Sequence, residues 1–267
     1  MLAPMGDAGA MFSDGSVYER MMGRWSRVAG EAFLAWLAPG RGLRWLDVGC
    51  GNGAFTETLI ARTAPAAISG LDPSEGQIAY ARTRTRLAMA DLRVGDAQSL
   101  PYDDGTFDAA VMALVIAFVP DPGAAVAEMA RVVKPGGSVS TYMWDVLAGG
   151  TPIEPLREAL RAMGQDAPHP HTAAASGQDA LRATWETAGL RRIEHTVLRI
   201  SVSFASFEDF CASVIVPVGP LGAITSKLGP KQREALHAEL RKQLPIAADG
   251  RITYASFANA IKGEVPR

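Results

Sequence analysis

The segment Trp45-Leu46-Asp47-Val48-Gly49-Cys50-Gly51-Asn52-Gly53 runs from apolar residues into three alternating glycines, and a helical pattern begins at Ala54. Glycine accepts positive φ and lets a ligand press against bare backbone. A strand, a glycine turn and a helix in that order therefore make a binding edge. The same letters satisfy the loose dinucleotide pattern G-x-G-x-x-G/A through Gly49, Gly51 and Ala54. Charge points elsewhere, because Asp47 stands two residues ahead of the first glycine and no Lys or Arg lies between it and Arg62 to offset a diphosphate. A ligand carrying an ammonium and a sulfonium would be attracted there instead. A second acid, Asp72, falls nineteen residues past Gly53 at the end of an apolar run, placed to accept hydrogen bonds from a ribose diol. The third, Asp96 in Val94-Gly95-Asp96-Ala97, can accept from an exocyclic amine, and adenine has one.

Those acids need strands to hold them. From Leu43 onward short β-like runs alternate with helical ones: strands over Leu43–Val48, Ala67–Leu71, Met89–Val94, Phe107–Ala113 and Ser138–Met143, with helices over Ala54–Thr63, Glu75–Arg86 and Gly123–Val132. This rhythm predicts βαβ crossovers on a parallel sheet. Ala109–Val115 is apolar on both faces, as a strand covered by helices on two sides should be. Before the sheet, Met21, Met22, Trp25, Ala29, Phe33 and Leu37 recur at helical spacing over 16–38, with a break expected near Gly23. After Trp144 the pattern gives two helices within Pro152–Gly189, strands at Arg191–Ser201 and Tyr254–Lys262, and helices at Ser206–Val216 and Pro230–Leu244. The whole of 1–267 reads as one domain: N-terminal cap helices at 16–38, a core at 43–145, and lid or substrate insertions at 145–175 and 203–250.

DVGCGNG, LDPS, GDAQSLPYDDGTFDAAV and RVVKPGG, in this order and spacing, resemble the class I S-adenosylmethionine-dependent methyltransferases. Within that family the resemblance is to the small-molecule branch that includes ubiquinone and menaquinone biosynthesis enzymes, and it covers roughly residues 43–145. It implies an α/β, Rossmann-like fold: a seven-stranded, mostly parallel sheet with an antiparallel final strand and helical cap insertions. It also implies S-adenosylmethionine as cofactor and methyl transfer to a small organic acceptor. Asp47, Gly49 and Gly51 would then hold the methionine part, Asp72 the ribose, and Pro73 and Ser74 would flank the adenine. Asp96 with Ala97 and Gln98 would read the adenine amine, and backbone at Ala113 and Leu114 would border the methionine chain. The segment from Tyr18 to Arg27 resembles the N-terminal helix that caps the cofactor, with Tyr18, Arg24 and Trp25 as its contact candidates. One departure stands out: Leu114 to Asp121 lacks the histidine or other polar residue that relatives often carry there. The Asn/Asp-Pro-Pro-aromatic pattern of amino-methylating DNA and protein enzymes is also missing.

A displacement at a sulfonium needs alignment more than acid or base. Should the acceptor need a base, His169, His171, Tyr142 and Asp145 are the candidates. Phe204, Phe207, Phe210, Val214, Ile215 and Leu221 suggest apolar walls, so the expected acceptor is an apolar small molecule. Twenty-six basic and 28 acidic residues leave a net charge of −2, which provides no field for nucleic acid or an anionic membrane. The longest apolar run, eleven residues at 109–119, is short of the ~20 that span a bilayer. Two distant cysteines, Cys50 and Cys211, offer neither a metal site nor a disulfide framework, and Cys50 reads as a small core filler. A cytoplasmic protein without metal is expected, and the sequence assigns no oligomeric state. Two other functions fit some of these features: a non-catalytic S-adenosylmethionine-binding protein, and an NAD-dependent dehydrogenase.

Overall fold

The computed structural model describes residues 15–217 and 219–267, with side chains from Met22 onward. Helix α1 (Gly15–Leu37) leads into β1 (Arg44–Val48), α2 (Ala54–Thr63), β2 (Ala67–Asp72), α3 (Glu75–Arg82), β3 (Ala90–Val94) and β4 (Phe107–Ala113). Then come α4 (Pro122–Val132), β5 (Val133–Trp144), α5 (Glu154–Ala162), α6 (Gln178–Thr187) and β6 (Arg191–Phe204). The chain ends with α7 (Phe207–Val214), α8 (Gly219–Thr225), α9 (Pro230–Gln243) and β7 (Ile252–Glu264). The strands form one seven-stranded sheet in the order β3-β2-β1-β4-β5-β7-β6. β1 to β5 are parallel, and β7 is antiparallel to both β5 and β6. The strand order reverses between β1 and β4, and such a reversal opens a crevice at the carboxyl ends of the strands. Because β6 runs with β5, both long connections, after Trp144 and after Phe204, leave from that same edge.

Register sorts the side chains. Trp45 pairs with Ala109, Ala109 with Ser138 and Ser138 with Glu264. Two residues up each strand, Asp47, Val111, Ser140 and Lys262 share the same face, since strand side chains alternate. Helix α1 covers this face, with Phe33 stacked on Tyr142 at 4.6 Å between ring centroids. Trp185 of α6 covers the other face and donates its indole N–H to the Val139 carbonyl at 3.1 Å.

Local expectations hold with three corrections. Helix α1 is continuous through Gly23, so there is one cap helix and not two. A glycine costs a helix only ~1 kcal/mol, and the buried stripe of Met22, Trp25, Ala29 and Phe33 outweighs that. Helix α3 stops at Arg82, because Thr83 turns its hydroxyl onto the Tyr80 carbonyl and a short 3₁₀ turn, Thr85–Leu87, drops Leu87 into the core. Strand β5 begins at Val133, five residues before Ser138, because Val133 already pairs with Phe107. The register then shifts, and a Cβ on Gly137 would meet the Asp108 carbonyl at 2.5 Å. Gly136 and Gly137 thus form an irregular stretch within the strand. Among the described residues no single helix is long and apolar enough to cross a membrane, and no group of three or more His, Cys, Asp or Glu gathers in a way that could hold a metal ion. Both cysteines are free and buried.

The connection from β6 to β7 folds back as three helices, of which α8 carries no sequence pattern of its own. Phe204, Phe207, Phe210, Val214 and Leu221 are buried in packing this lid down. Trp25 is the pivot, with ring centroids 6.4 Å from Trp144, 6.2 Å from Phe204 and 5.9 Å from Tyr254. Each such pair contributes ~0.5–1.5 kcal/mol beyond its buried area. Arg24 forks onto both carboxylate oxygens of Asp209 in α7 at 3.0 and 3.1 Å and lies over the Phe204 ring. Through Arg24 and Trp25, α1 clamps the lid.

Candidate functional site

At the carboxyl edge of β1 the backbone turns sharply. Gly49, Gly51 and Gly53 all have positive φ, of 74°, 52° and 80°. Gly49 N and Cys50 N both donate to the Leu71 carbonyl at 2.7 and 3.0 Å, which ties the loop to the end of β2. The three glycines differ in what surrounds them. A Cβ on Gly49 would lie 2.6 Å from a Val115 methyl and one on Gly53 would strike Leu87, whereas one on Gly51 would meet nothing within 4 Å. Gly51 therefore faces open space at the binding edge. Cys50 points the other way, against Gly70 and Leu92, and burial pushes its thiol well above the ordinary range. It is a core filler.

Two acids flank this loop. Asp72 accepts from Gly51 N at 3.0 Å through one oxygen and from Ser74 N at 2.9 Å through the other. Burial raises its pKa against the pull of those two backbone bonds. Ser74 also caps α3, accepting from Gln77 N. Each Asp72 oxygen keeps a second lone pair for a ligand hydroxyl. Asp47 is fully buried and accepts from the Thr56 hydroxyl at 2.6 Å through Oδ2. Its Oδ1 has no partner among the described residues. Burial pushes its pKa up to about 7, the Thr56 bond opposes that rise, and the Asp72 charge adds to it. A buried carboxylate with one idle oxygen is what a cationic ligand would satisfy.

The third acid, Asp96, lies beyond β3 and is exposed. It accepts from Gln98 N at 2.9 Å and from the Gln98 side chain, whose oxygen accepts in turn from Asp121 N at 3.0 Å. Gln98 thus links this corner to the loop after β4. Ala97 is buried behind it. Ala113 ends β4, and Leu114 follows with φ of 61°, donating its N–H to the Tyr142 carbonyl at 2.8 Å. A left-handed leucine costs ~1–2 kcal/mol, and such strain gathers where backbone meets ligand. Nothing in the sequence announces it. The ends of β1 to β4 and the loops after them thus carry Asp47, Gly49, Gly51, Asp72, Pro73, Ser74, Asp96, Ala97, Gln98, Ala113 and Leu114 along one edge.

The cap and base candidates fare differently. Arg24 is engaged by Asp209 and Trp25 is packed in the aromatic cluster, so both hold the lid. The Tyr18 side chain lies outside the described residues. Tyr142 is buried between Phe33 and Phe55. Asp145 accepts from Asn259 at 2.8 Å and from Ala148 N at 3.2 Å, a turn-holding role. His171 is exposed. His169 lies 2.9 Å from Arg161 through Nε2. A guanidinium only donates, so Nε2 accepts and its lone pair is occupied. Burial, with Arg157 and Arg161 nearby, lowers the His169 pKa. The histidine loop still leans over the binding edge, because Thr172 donates to the Ala117 carbonyl at 2.7 Å. Sequence reading passed over Glu154 and Arg157, a buried pair 3.4 Å apart that anchors this loop through the Ala167 and Pro168 carbonyls.

A parallel sheet with this strand order, glycine loop and row of acids defines a nucleoside-binding Rossmann-like protein. Residues 46–141 match the family described as "Methyltransferase domain", so this segment, which carries the glycine loop and the row of acids, is a methyltransferase domain of the class I, S-adenosylmethionine-dependent kind. Over 143 residues it is 33% identical to a malonyl-[acyl-carrier protein] O-methyltransferase of Erwinia pyrifoliae, covering 53% of this chain and 51% of that one. Over 102 residues it is 36% identical to a demethylmenaquinone methyltransferase of Staphylococcus aureus, covering 37% of this chain and 42% of that one. The matches thus span about half or less of these relatives' length. Among solved structures, a putative methyltransferase from Bacillus halodurans superposes with a TM-score of 0.59 at 18% identity, over 88% of this chain and 97% of that one. Phosphoethanolamine N-methyltransferase 2 of Haemonchus contortus, solved with S-adenosyl-L-methionine, gives 0.62 at 18% identity, over 100% of this chain and 61% of that one. These structures share the fold.

The glycines give a first prediction. Gly51→Ala should cost only the ~1–2 kcal/mol of left-handed strain, a few degrees in Tm, yet weaken S-adenosylhomocysteine binding at least about tenfold. Gly49→Ala should lower Tm much further because Val115 blocks it. Thermal unfolding and calorimetric titration of both variants measure this, and unchanged affinity in Gly51→Ala would count against the loop as the binding edge.

Proposed function

We propose that this chain transfers the methyl group of S-adenosylmethionine to a small, apolar organic acceptor by direct displacement. The observation that carries this reading is the buried Asp47 carboxylate, with an idle oxygen, beside a glycine loop that has no cationic side chain up to Arg62. Such an edge favours a positively charged nucleoside over a diphosphate. When bound, the cofactor supplies a methyl carbon activated by the sulfonium. The chain's residues hold and shield it: Asp72 takes the ribose hydroxyls, Asp96 and Gln98 read the adenine amine, and Pro73 and Ser74 flank the ring. Asp47, Gly49 and Gly51 hold the methionine part, with Ala113 and Leu114 at its border. Holding reactants in line can remove ~7–11 kcal/mol of barrier without an acid or base, in keeping with the occupied state of Tyr142, Asp145 and His169.

The lid sets the acceptor side. It rises from the ends of β5 and β6, at the same edge as the glycine loop, and its inner residues are aromatic. One relative is named for methylating demethylmenaquinone, an apolar small molecule, which supports this kind of acceptor, whereas another is named for malonyl-[acyl-carrier protein], an acyl group on a carrier protein. Incubation of the protein with radiolabelled S-adenosylmethionine and a fractionated small-molecule extract should yield a labelled, organic-extractable product. Tight binding without any product would favour a non-catalytic binding protein. In a thermal shift, S-adenosylhomocysteine should raise Tm through a stabilisation of RT ln(1 + [L]/Kd), ~2.7 kcal/mol at a hundredfold excess over Kd, and NAD(H) should not. Protection by NAD(H) alone would replace this reading with a dehydrogenase.

A further inference from the structure

The lid holds a cavity of about 410 Å³ between α7, α8 and α9, within the ~300–1,000 Å³ range of small-molecule pockets. It follows from the sequence of this connection. Phe210 to Ser226 carries no charged residue, so the segment packs by apolar contact alone. Pro217 cannot continue α7, whereas Pro220 suits the first turn of α8, and two short helices result in place of one. Gly222 lets α8 close against the turn after α7, since a Cβ there would stand 2.5 Å from the Val216 carbonyl. Helix α9 forms the third side.

The interior and the rim differ in chemistry. Val216, Leu228 and Leu236 line the cavity and are buried, so its floor is aliphatic. Cys211 adds a thiol whose pKa burial pushes up to about 11, and it is uncharged at neutral pH. Thr225 and Ser226 turn their hydroxyls onto the Gly222 carbonyl at 3.2 and 2.7 Å and need no further acceptor. The rim carries Arg233 and His237, both exposed and four residues apart on one face of α9. Arg233 Nε donates to the Leu228 carbonyl at 2.9 Å, which tethers the guanidinium beside a wall residue. Its two terminal nitrogens have no acceptor among the described residues, and none of the described residues lining the cavity is Asp or Glu. An aliphatic interior takes up a hydrocarbon tail, and a free guanidinium fork matches a carboxylate.

We propose that this cavity is a second small-molecule site, for an aliphatic monocarboxylate whose tail fills the interior and whose carboxylate accepts from Arg233 and His237. None of its lining residues belongs to the cofactor edge, and the site does not depend on the methyl-transfer reading. The test is calorimetric titration of the full chain with decanoate, with S-adenosylhomocysteine at saturation to occupy the cofactor edge. Decanoate should bind saturably, and hexanoate at least about tenfold more weakly because four fewer methylenes are buried. Decylammonium, with the same tail and the opposite charge, should also be weaker by about tenfold or more. Ala212→Phe places a ring in the cavity from an exposed position on α7; it should abolish decanoate binding and leave Tm within a few degrees of the natural chain. Arg233→Met should weaken decanoate at least about tenfold and decan-1-ol less than about threefold. Arg233→Lys, which keeps the charge, should hold decanoate within about fivefold. Absence of saturable binding, or equal binding in Ala212→Phe, would overturn the site. Equal binding of decylammonium, or full decanoate affinity in Arg233→Met, would overturn the ligand class. A concentration-dependent dimer in sedimentation that Ala212→Phe dissolves, with no uptake of decanoate, would give the groove to a second copy and overturn the proposal as well.

Discussion

Asp72→Ala should reduce affinity for S-adenosylhomocysteine by about a hundredfold or more while the chain still folds. Asp72 holds the amide of Gly51 on one side and that of Ser74 on the other, so it fixes both the glycine loop and the first turn of α3 relative to β2. Hydrogen bonds to a charged group contribute ~1.5–3 kcal/mol each, and a hundredfold loss needs only ~2.8 kcal/mol. The proposed ribose bonds vanish with the same side chain. Asp72→Asn should be nearly as damaging, because its amide nitrogen cannot accept from a backbone N–H and one of the two bonds becomes a clash of donors. Calorimetric titration with S-adenosylhomocysteine, alongside thermal unfolding of each variant, separates the two effects. Full affinity in Asp72→Ala would remove Asp72 from the site.

What the sequence made legible was local. Alternating strands and helices, the glycines after Asp47, and the acids at strand ends are written in neighbouring residues, and the parallel sheet followed from them, whereas the antiparallel last strand came only with the family resemblance. The lid was not legible in this way. Arg24 meets Asp209 across 185 positions, and no spacing rule links them. Trp25 has the same helical periodicity whether it faces a cofactor or an aromatic cluster. Only the fold shows that Trp144, Phe204 and Tyr254 surround it. Leu114 is a further case: its left-handed backbone comes from closing β4 against the Tyr142 carbonyl, at a residue type that gives no hint of it. Tyr142 and Asp145 looked like candidate bases because they leave β5 at the binding edge. In the fold Tyr142 stacks on Phe33 and Asp145 accepts from Asn259, partners that no local pattern announces. The strand expected from Ser138 begins five residues earlier, because Val133 pairs with Phe107 and makes Gly136 and Gly137 an irregularity inside a longer strand.

Asp47 should make the unliganded protein less stable as pH rises, opposite to an ordinary salt-bridged acid. Its pKa in the folded chain is about 7 against an ordinary 3.8, so between those values the folded state binds more protons than the unfolded one. Stability therefore falls as pH climbs through that window, and the full penalty is present above pH 7. Three pKa units correspond to about 4 kcal/mol. Asp47→Asn keeps an oxygen to accept from Thr56 and has no charge to desolvate. Its unfolding free energy should be flatter between pH 4 and 7 and exceed that of the natural chain at pH 8. A cationic ligand beside Oδ1 reverses the preference, since it favours the ionised carboxylate. S-adenosylmethionine should accordingly bind more tightly as pH rises from 5 to 7 and release a proton in doing so, and Asp47→Asn should lose both the pH dependence and the proton release. Urea unfolding across this range, with calorimetric titrations in two buffers of different ionisation enthalpy, measures each part. A pH-independent affinity in the natural chain would mean that the cation is held by something other than Asp47.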